Sequence, residues 1–157
     1  MEFITQRICM GKDLGVHGNL FGGNMLSWID EAAGTMAASV CQSPNMVTVK
    51  VDEVVFRKAV KVGYLIKIYG KVCKMGTTSV TLQVEARKHN VITQEEILVC
   101  DTEITFVRID EYGDTVPIPE SVRDMYAHLK KNFSKSKKWR PSNPPLTLSP
   151  RQSSRPF

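Results

Sequence analysis

The residues best suited to chemistry lie in one stretch, DLGVHGNLFGGNMLSWIDEAAG, residues 13 to 34, which holds five glycines, His17 and the adjacent carboxylates Asp30 and Glu31. After the double glycine at Gly22 and Gly23, the residues Leu26, Ile29, Ala33, Met36, Ala37 and Val40 recur at three- and four-residue spacing. That spacing predicts a helix from about residue 22 to 40 with one wide apolar face. On such a helix Asp30 stacks with Leu26, Ala33 and Ala37, whereas Glu31 shares its row with Ser27, Trp28, Gly34 and Thr35. Asp30 is thus expected at the border of a buried face, where partial desolvation makes a carboxylate a better base. From spacing alone, a solvent-facing aspartate is the simpler reading. The glycines weigh against it, because the first backbone N–H groups of a helix have no intrahelical partner. Without side chains there, a ligand carbonyl can come close, and donors backed by the helix dipole suit a developing oxyanion. A tight turn or a packing contact is the plain alternative for the pair.

Such residues need elements that hold them in place. A strand is expected around residues 3 to 10, ahead of the glycine-rich loop. After the helix, MVTVKVDEVVF, YLIKIYGKV, SVTLQVEARKH and ILVCDTEITFVRI alternate apolar and polar residues and are rich in β-branched side chains. The turn signals KVG at 61–63, KMGTT at 74–78 and HNVITQEE at 89–96 separate them. The small residues Ala32, Ala33, Gly34, Ala37, Ala38 and Ser39 let a sheet approach the helix closely. Together these features predict an α+β fold, a strongly curved antiparallel sheet with one helix packed on its face. The segment ESVRDMYAHLKKNF, residues 120–133, is expected to form a short helix.

The bulk composition excludes several function classes. At 157 residues, 42% hydrophobic and 24% charged, the chain reads as one ordinary globular domain. No apolar run reaches the roughly 20 residues of a membrane span, and MEFITQRICMG lacks the layout of a secretory signal, so a cytoplasmic location is expected. The cysteines Cys9, Cys41, Cys73 and Cys100 lie far apart with no C-x-x-C pair, which points to free thiols, mostly buried. The net charge of +5 is a property of the tail: residues 130–157 carry eight Lys or Arg and no Asp or Glu, and the rest of the chain is net acidic at −3. Five of the eight prolines fall in residues 134–157, which are expected to be a disordered basic tail following a domain of residues 1–133.

Three separated segments carry a family resemblance. GNLFGGNMLSWIDEA, MVTVKVDEVVFRKAVKVGYLIKIYGKV and KMGTTSVTLQVEA together resemble the hot-dog-fold acyl-CoA thioesterases of the YciA-like type, over roughly residues 5 to 120. Gly18, Phe21, Gly22, Gly23 and Asp30 match that family's pattern in order, and residues 56–63 and Gly76, Thr77, Thr78 and Ser79 match its later landmarks. The resemblance implies a hot-dog fold, an antiparallel sheet wrapped around one long helix, with two subunits joining their sheets. It implies active sites at the dimer interface and a hexamer built as a trimer of dimers. Asp30 would be the catalytic carboxylate, activating water or attacking the thioester itself, and backbone N–H groups near Gly22 and Gly23 would hold the carbonyl oxygen. Neither metal nor cofactor is implied, coenzyme A being part of the substrate. One departure stands out: many relatives have Asn three residues before the loop glycine, where this chain has Gly15. His17 and Asn19 are the candidates to supply that polar group, and His17 could equally just bond its own turn.

A coenzyme A site should offer cations and backbone donors to phosphate. Arg57, Lys58, Lys74, Arg87 and Lys88 lie at expected strand ends or turns and could gather at one sheet edge, with the Gly76, Thr77, Thr78 and Ser79 turn adding hydroxyls and N–H groups. Met25, Trp28, Ile29 and Met36 could shape an acyl tunnel or simply fill the core. Three rival readings follow from the same residues. An acyl-thioester hydratase or dehydratase would use His17 with Asp30 or Glu31, but the GNLFGGNMLSWID order favours the hydrolase. A non-catalytic acyl-CoA-binding regulator gains nothing from a desolvated carboxylate facing a thioester. Nucleic-acid binding has only the basic tail and Trp139, with no groove-reading motif.

Overall fold

The computed structural model describes residues 1–129. The basic tail expected at 134–157, with Trp139, lies outside the described residues, as do residues 130–133. The order of elements is β1 (Glu2–Ile8), a single 3-10 turn (Gly11–Asp13), α1 (Gly22–Cys41), β2 (Met46–Val51), β3 (Val55–Phe56), β4 (Leu65–Met75), β5 (Ser79–His89), β6 (Glu96–Arg108) and α2 (Glu120–Met125). All strand pairs are antiparallel, in the order β1-β4-β5-β6-β2, with β3 also pairing with β6. The sheet curls around α1 as the alternation and the small-residue helix face led us to expect. None of the described helices is long and apolar enough to cross a membrane.

The core forms where the apolar stripe of α1 meets the concave sheet face. Ile29, Ala33, Ala37 and Cys41 are fully buried against Ile66, Ile68, Leu82, Val84, Ile104 and Phe106. Close approach is enforced at Gly70 in β4, where a Cβ would come within 2.6 Å of Met36 Sδ and 2.8 Å of Ile4 Cδ1. The cysteines are all free, with Cys9, Cys41 and Cys100 buried. Burial pushes the Cys41 and Cys100 thiols up to about 11, so neither is poised as a thiolate nucleophile.

One expected element differs from the structure. The run 46–56 is not one strand: β2 stops at Val51 and the chain resumes pairing only at Val55, with Thr102 Oγ1 donating to the Asp52 carbonyl between them. A register shift between Thr48 and Lys50 bends β2 as well, as a bulge on an edge strand does. The short helix expected in 120–133 is present as α2, which spans Glu120–Met125.

The convex sheet face carries a polar cluster centred on Glu96. Tyr69 Oη donates to Glu96 Oε1 at 2.8 Å, Lys67 Nζ lies 3.1 Å from the same oxygen, Arg87 lies 3.6 Å from Oε2, and the buried His89 brings Nδ1 to 3.6 Å. Burial raises the Glu96 carboxyl, but the hydrogen bonds from Tyr69 and Lys67 and the charges of Lys67 and Arg87 outweigh it, leaving the group below its ordinary range. A carboxylate held low in the fold contributes stability above its unfolded pKa, near about 4.3, and loses it as pH falls through the folded value. Glu96→Gln is therefore expected to cost about 1–2 kcal/mol at neutral pH. In urea unfolding followed from pH 7 to pH 3, the gap between wild type and variant should close only at the acid end. A gap that persists unchanged there would mean that the charge of Glu96 does not matter.

Candidate active site

The glycine-rich loop is held by its backbone. Gly15 N–H donates to the Asn19 carbonyl at 2.8 Å and Gly18 N–H to the Gly15 carbonyl at 3.1 Å, which closes the tip. Gly18 takes φ +71°, a conformation open to glycine. Phe21 N–H and the Asn24 side-chain amide both donate to the Asp13 carbonyl, and Leu20 N–H donates to the Val60 carbonyl at 2.8 Å. The loop is thereby pinned to α1 on one side and to the segment before β4 on the other. His17 projects from the tip, exposed, and the turn closes through Gly15 and Asn19 rather than through its imidazole. Asn19 is tucked beneath, its Oδ1 buried and without a hydrogen-bond partner.

The start of α1 is the donor end that the glycines suggested. Phe21 takes the N-cap position without a side-chain cap, and no acidic residue lies in the first turn. The first helical bonds run from Asn24 and Met25 N–H to the Phe21 carbonyl, so among the described residues Gly22 and Gly23 keep their N–H groups unengaged. Aromatic rings flank both positions. A Cβ on Gly22 would lie 3.4 Å from Phe56 Cζ, and one on Gly23 would lie 2.6 Å from Phe21 Cε1. Beside this helix end a cavity of about 320 Å³ is lined by Asn19, Leu20, Gly22, Met25, Phe56 and Val60, with Arg57 and Lys58 also on its wall.

Asp30 occupies the exposed side of α1 facing the edge strand β2, where Thr48 Oγ1 donates to its Oδ1 at 2.7 Å. The partial burial expected of Asp30 is therefore absent within one protomer. Its helical neighbours Ala33 and Ala37 are buried, but the carboxylate itself points past them to the sheet edge. Glu31 turns the other way and pairs with Arg7. Thr48 is the site residue that sequence reading missed. Strict alternation in MVTVKV puts the valines toward the helix, yet Thr48 pairs opposite Phe106 and so shares the helix-facing side. Nothing in the sequence marks this strand as an edge; in the structure Val47, Val49 and Val51 are 37%, 57% and 43% exposed.

The candidate cations are not gathered at one edge. Arg57 and Lys58 reach the cavity at Gly22, but the Arg57 guanidinium is held by Asp101, Nε at 2.6 Å and Nη2 at 3.1 Å. Arg87 is tied to Glu85 and stacks 4.6 Å over Tyr69 on the convex face, while Lys88 sits 3.6 Å over the Tyr64 ring. The turn of Gly76, Thr77, Thr78 and Ser79 closes through Gly76 N–H to the Ser79 carbonyl and anchors Ile118 and Arg108. It lies at the opposite end of β5 from Arg87 and Lys88, roughly 30 Å away at strand rise. Lys74 lines a separate groove with Cys73 and Ser79 on the convex side. Of the expected tunnel residues, Met25 lines the cavity, Ile29 and Met36 are core, and Trp28 borders a groove with Arg7 and Lys12.

Within one protomer the base and the donors stand apart. Gly23 and Asp30 share a helix face seven residues apart, a rise of about 10 Å. That exceeds the reach of a carboxylate acting through one water on a carbonyl bound at the glycines. Neither does His17 meet Asp30 or Glu31, since Asp30 is bonded to Thr48 and Glu31 to Arg7. The protomer therefore presents two half-sites: an oxyanion-binding end beside a cavity, and a positioned carboxylate at an unpaired sheet edge.

The chain is similar to known proteins along most of its described length. The model of the Thioesterase superfamily matches residues 17–94. An uncharacterized acyl-CoA thioester hydrolase of Bacillus subtilis is 34% identical over 110 residues, covering 70% of this chain and 63% of the relative, so the chain spans a little under two thirds of that protein. An uncharacterized acyl-CoA thioester hydrolase of Zymomonas mobilis is 34% identical over 112 residues, covering 71% of this chain and 74% of the relative. A solved structure, a hexameric hotdog fold thioesterase of Campylobacter jejuni, is similar with a TM-score of 0.72 at 33% identity, covering 81% of this chain and 97% of that one.

Proposed function

The chain belongs to the thioesterase superfamily and has the hot-dog fold of its acyl-CoA thioester hydrolases, and from that premise we propose that it hydrolyses acyl-CoA to a free carboxylic acid and coenzyme A. The observation that carries the reading is the pair of half-sites on α1, the Thr48-held Asp30 and, seven and eight residues before it, the unengaged amides of Gly23 and Gly22. The working unit is a two-fold dimer in which the Asp30 half-site of one protomer meets the glycine half-site of the other. The exposed valines of β2 support pairing through that edge, since an unpaired apolar edge strand is a template for association. Three such dimers form the hexamer, by analogy with the Campylobacter jejuni protein. The cytoplasm is the expected location.

In the reaction the thioester carbonyl oxygen lies against the amides of Gly22 and Gly23. Thr48 occupies Asp30 Oδ1, which leaves Oδ2 to take a proton from water as the water oxygen attacks the carbonyl carbon. The oxyanion that forms is held by the helix end, where preorganised donors are worth several kcal/mol to a developing charge. Collapse of the tetrahedral intermediate breaks the carbon–sulfur bond, and the proton on Asp30 passes to the departing coenzyme A thiolate. Lys58, Arg57 and the Gly76, Thr77, Thr78 and Ser79 turn are our candidates for the nucleotide phosphates, with Arg87 and Lys88 more remote. Thiol release from a panel of acyl-CoA chain lengths tests the activity, and silence across the panel would refute it.

Thr48 should act as a positioning residue. Thr48→Val removes one hydrogen bond to a charged group, and kcat is expected to fall about tenfold or more with KM little changed. Thr48→Ser, which keeps the hydroxyl, should recover most of the loss. Equal losses in both variants would mean that the contact only packs the edge strand.

A further inference from the structure

Resting on the thioesterase reading, we infer that Met25 and Val60 set the acyl chain length this protein accepts, because they close the inner end of the cavity whose wall holds Gly22. Exposure tells the two ends of that cavity apart. Phe56, Arg57, Lys58 and Ala59 are exposed and form its mouth, with Phe56 at 52%. Met25, Val60 and Val99 line the same cavity at 2%, 4% and 1% exposure and form its floor. Gly22 and Leu20 stand between the two, half-buried. A thioester carbonyl held at the Gly22 N–H therefore has one substituent directed at the core and the other at solvent.

Size and polarity decide which substituent goes inward. At about 320 Å³ the space is at the small end of ligand cavities and cannot enclose coenzyme A. Pantetheine amides buried against Met25, Val60 and Val99 would also be left without partners, which costs free energy. An acyl tail carries no such groups, so the tail runs to the floor and the thiol half leaves through the mouth, past Arg57 and Lys58. The depth follows from the helix. Met25 comes three residues after Gly22 on α1, so their Cβ positions are about 5–6 Å apart on one face. Long side chains on a helix lean back over the preceding turn, which puts the Met25 thioether beneath the tail. Val60 closes the floor from the other side, its carbonyl fixed by the Leu20 N–H at 2.8 Å. Cutting back either side chain lengthens the space along the direction in which the tail grows.

The test is the ratio of kcat/KM along a series of saturated acyl-CoA substrates, from acetyl to palmitoyl, for wild type, Met25→Ala, Val60→Ala and Phe56→Ala. Met25→Ala should move the optimum to longer chains, gaining about fourfold for each methylene that acquires cover. Val60→Ala should move it in the same direction by less, since it removes two methyl groups only. Phe56→Ala, which alters the mouth, should leave the optimum where it is whatever its overall rate. Ratios within each variant separate selectivity from any general loss. Val60 lies outside helix and strand, so its variant carries the test should Met25→Ala fail to fold. An optimum that stays in place in the folded floor variants, or one that moves in Phe56→Ala alone, would overturn the assignment. If the wild type hydrolyses no chain, the thioesterase reading falls by itself. Dissociation constants of the same acyl-CoA series, measured by calorimetry on the same proteins, then decide the role of the floor: longer chains gaining affinity in Met25→Ala and Val60→Ala uphold it, and unchanged or absent binding overturns it.

Discussion

Asp30→Asn should reduce kcat by about 10²- to 10⁴-fold, the range that a positioned general base contributes, while the protein keeps its fold and its affinity for coenzyme A. Asparagine has the shape of aspartate and can still accept the Thr48 hydroxyl bond, so the geometry at the sheet edge is retained. The side chain is exposed in the protomer, and substitutions at such positions usually change stability by less than about 0.5 kcal/mol. Loss of turnover in a stable protein that binds product would therefore isolate the chemical step. The same assay separates the rivals. A regulator would bind acyl-CoA with no turnover in the wild type. A hydratase would consume the double bond of an enoyl-CoA without releasing thiol, and would lose that activity in His17→Ala. Turnover unchanged in Asp30→Asn would mean that the base lies elsewhere.

The fold was more legible than the site because the core is local to one chain. The α1 stripe from Leu26 to Val40 and the strands at 79–89 and 96–108 have their apolar residues turned toward each other inside the protomer, so their periodicity reports their burial directly. The 46–51 edge breaks that rule. Its valines are exposed and its Thr48 faces the helix side, because the register shift and the missing neighbour remove the pattern's usual cause. Asp30 suffers from the same problem: an apolar helical row implies burial, but the row ends at the edge of the sheet. The cations failed for a different reason. Position at a strand end says nothing about a carboxylate partner nearby: Asp101 claims Arg57, and Glu85 and Glu96 both claim Arg87. The loop-to-helix turn was legible for a local reason: glycine-rich spacing from Gly18 to Gly23 marks a backbone-held loop, and its bonds run to Asp13, Gly15 and Val60.

Two inactive variants should restore each other when mixed. Gly22→Val places a branched side chain where the Phe56 ring and the ligand carbonyl both approach, and loss of an oxyanion donor is expected to cost about 10²- to 10³-fold in kcat. Asp30→Asn is inactive for the other reason. If Asp30 of one protomer serves the glycine end of the next, a mixed dimer contains one site with both elements intact and one with both altered. Random pairing makes half of the dimers mixed, so about a quarter of the wild-type activity should return, as two-fold symmetry requires. If base and donors acted within a single protomer, no mixed dimer would hold an intact site and activity would stay at the level of the separate variants. The rise of about 10 Å between Gly23 and Asp30 along one helix argues for the first outcome. The exchange can be driven by co-refolding and the mixed species isolated with two affinity tags, which turns the expected quarter into a half for the purified mixed dimer. Pairing through the β2 edge, where Val49 is 57% exposed, places the requirement on assembly itself: Val49→Asp should yield protomers that fold, fail to pair and hydrolyse nothing, because each would carry both half-sites and no complete one.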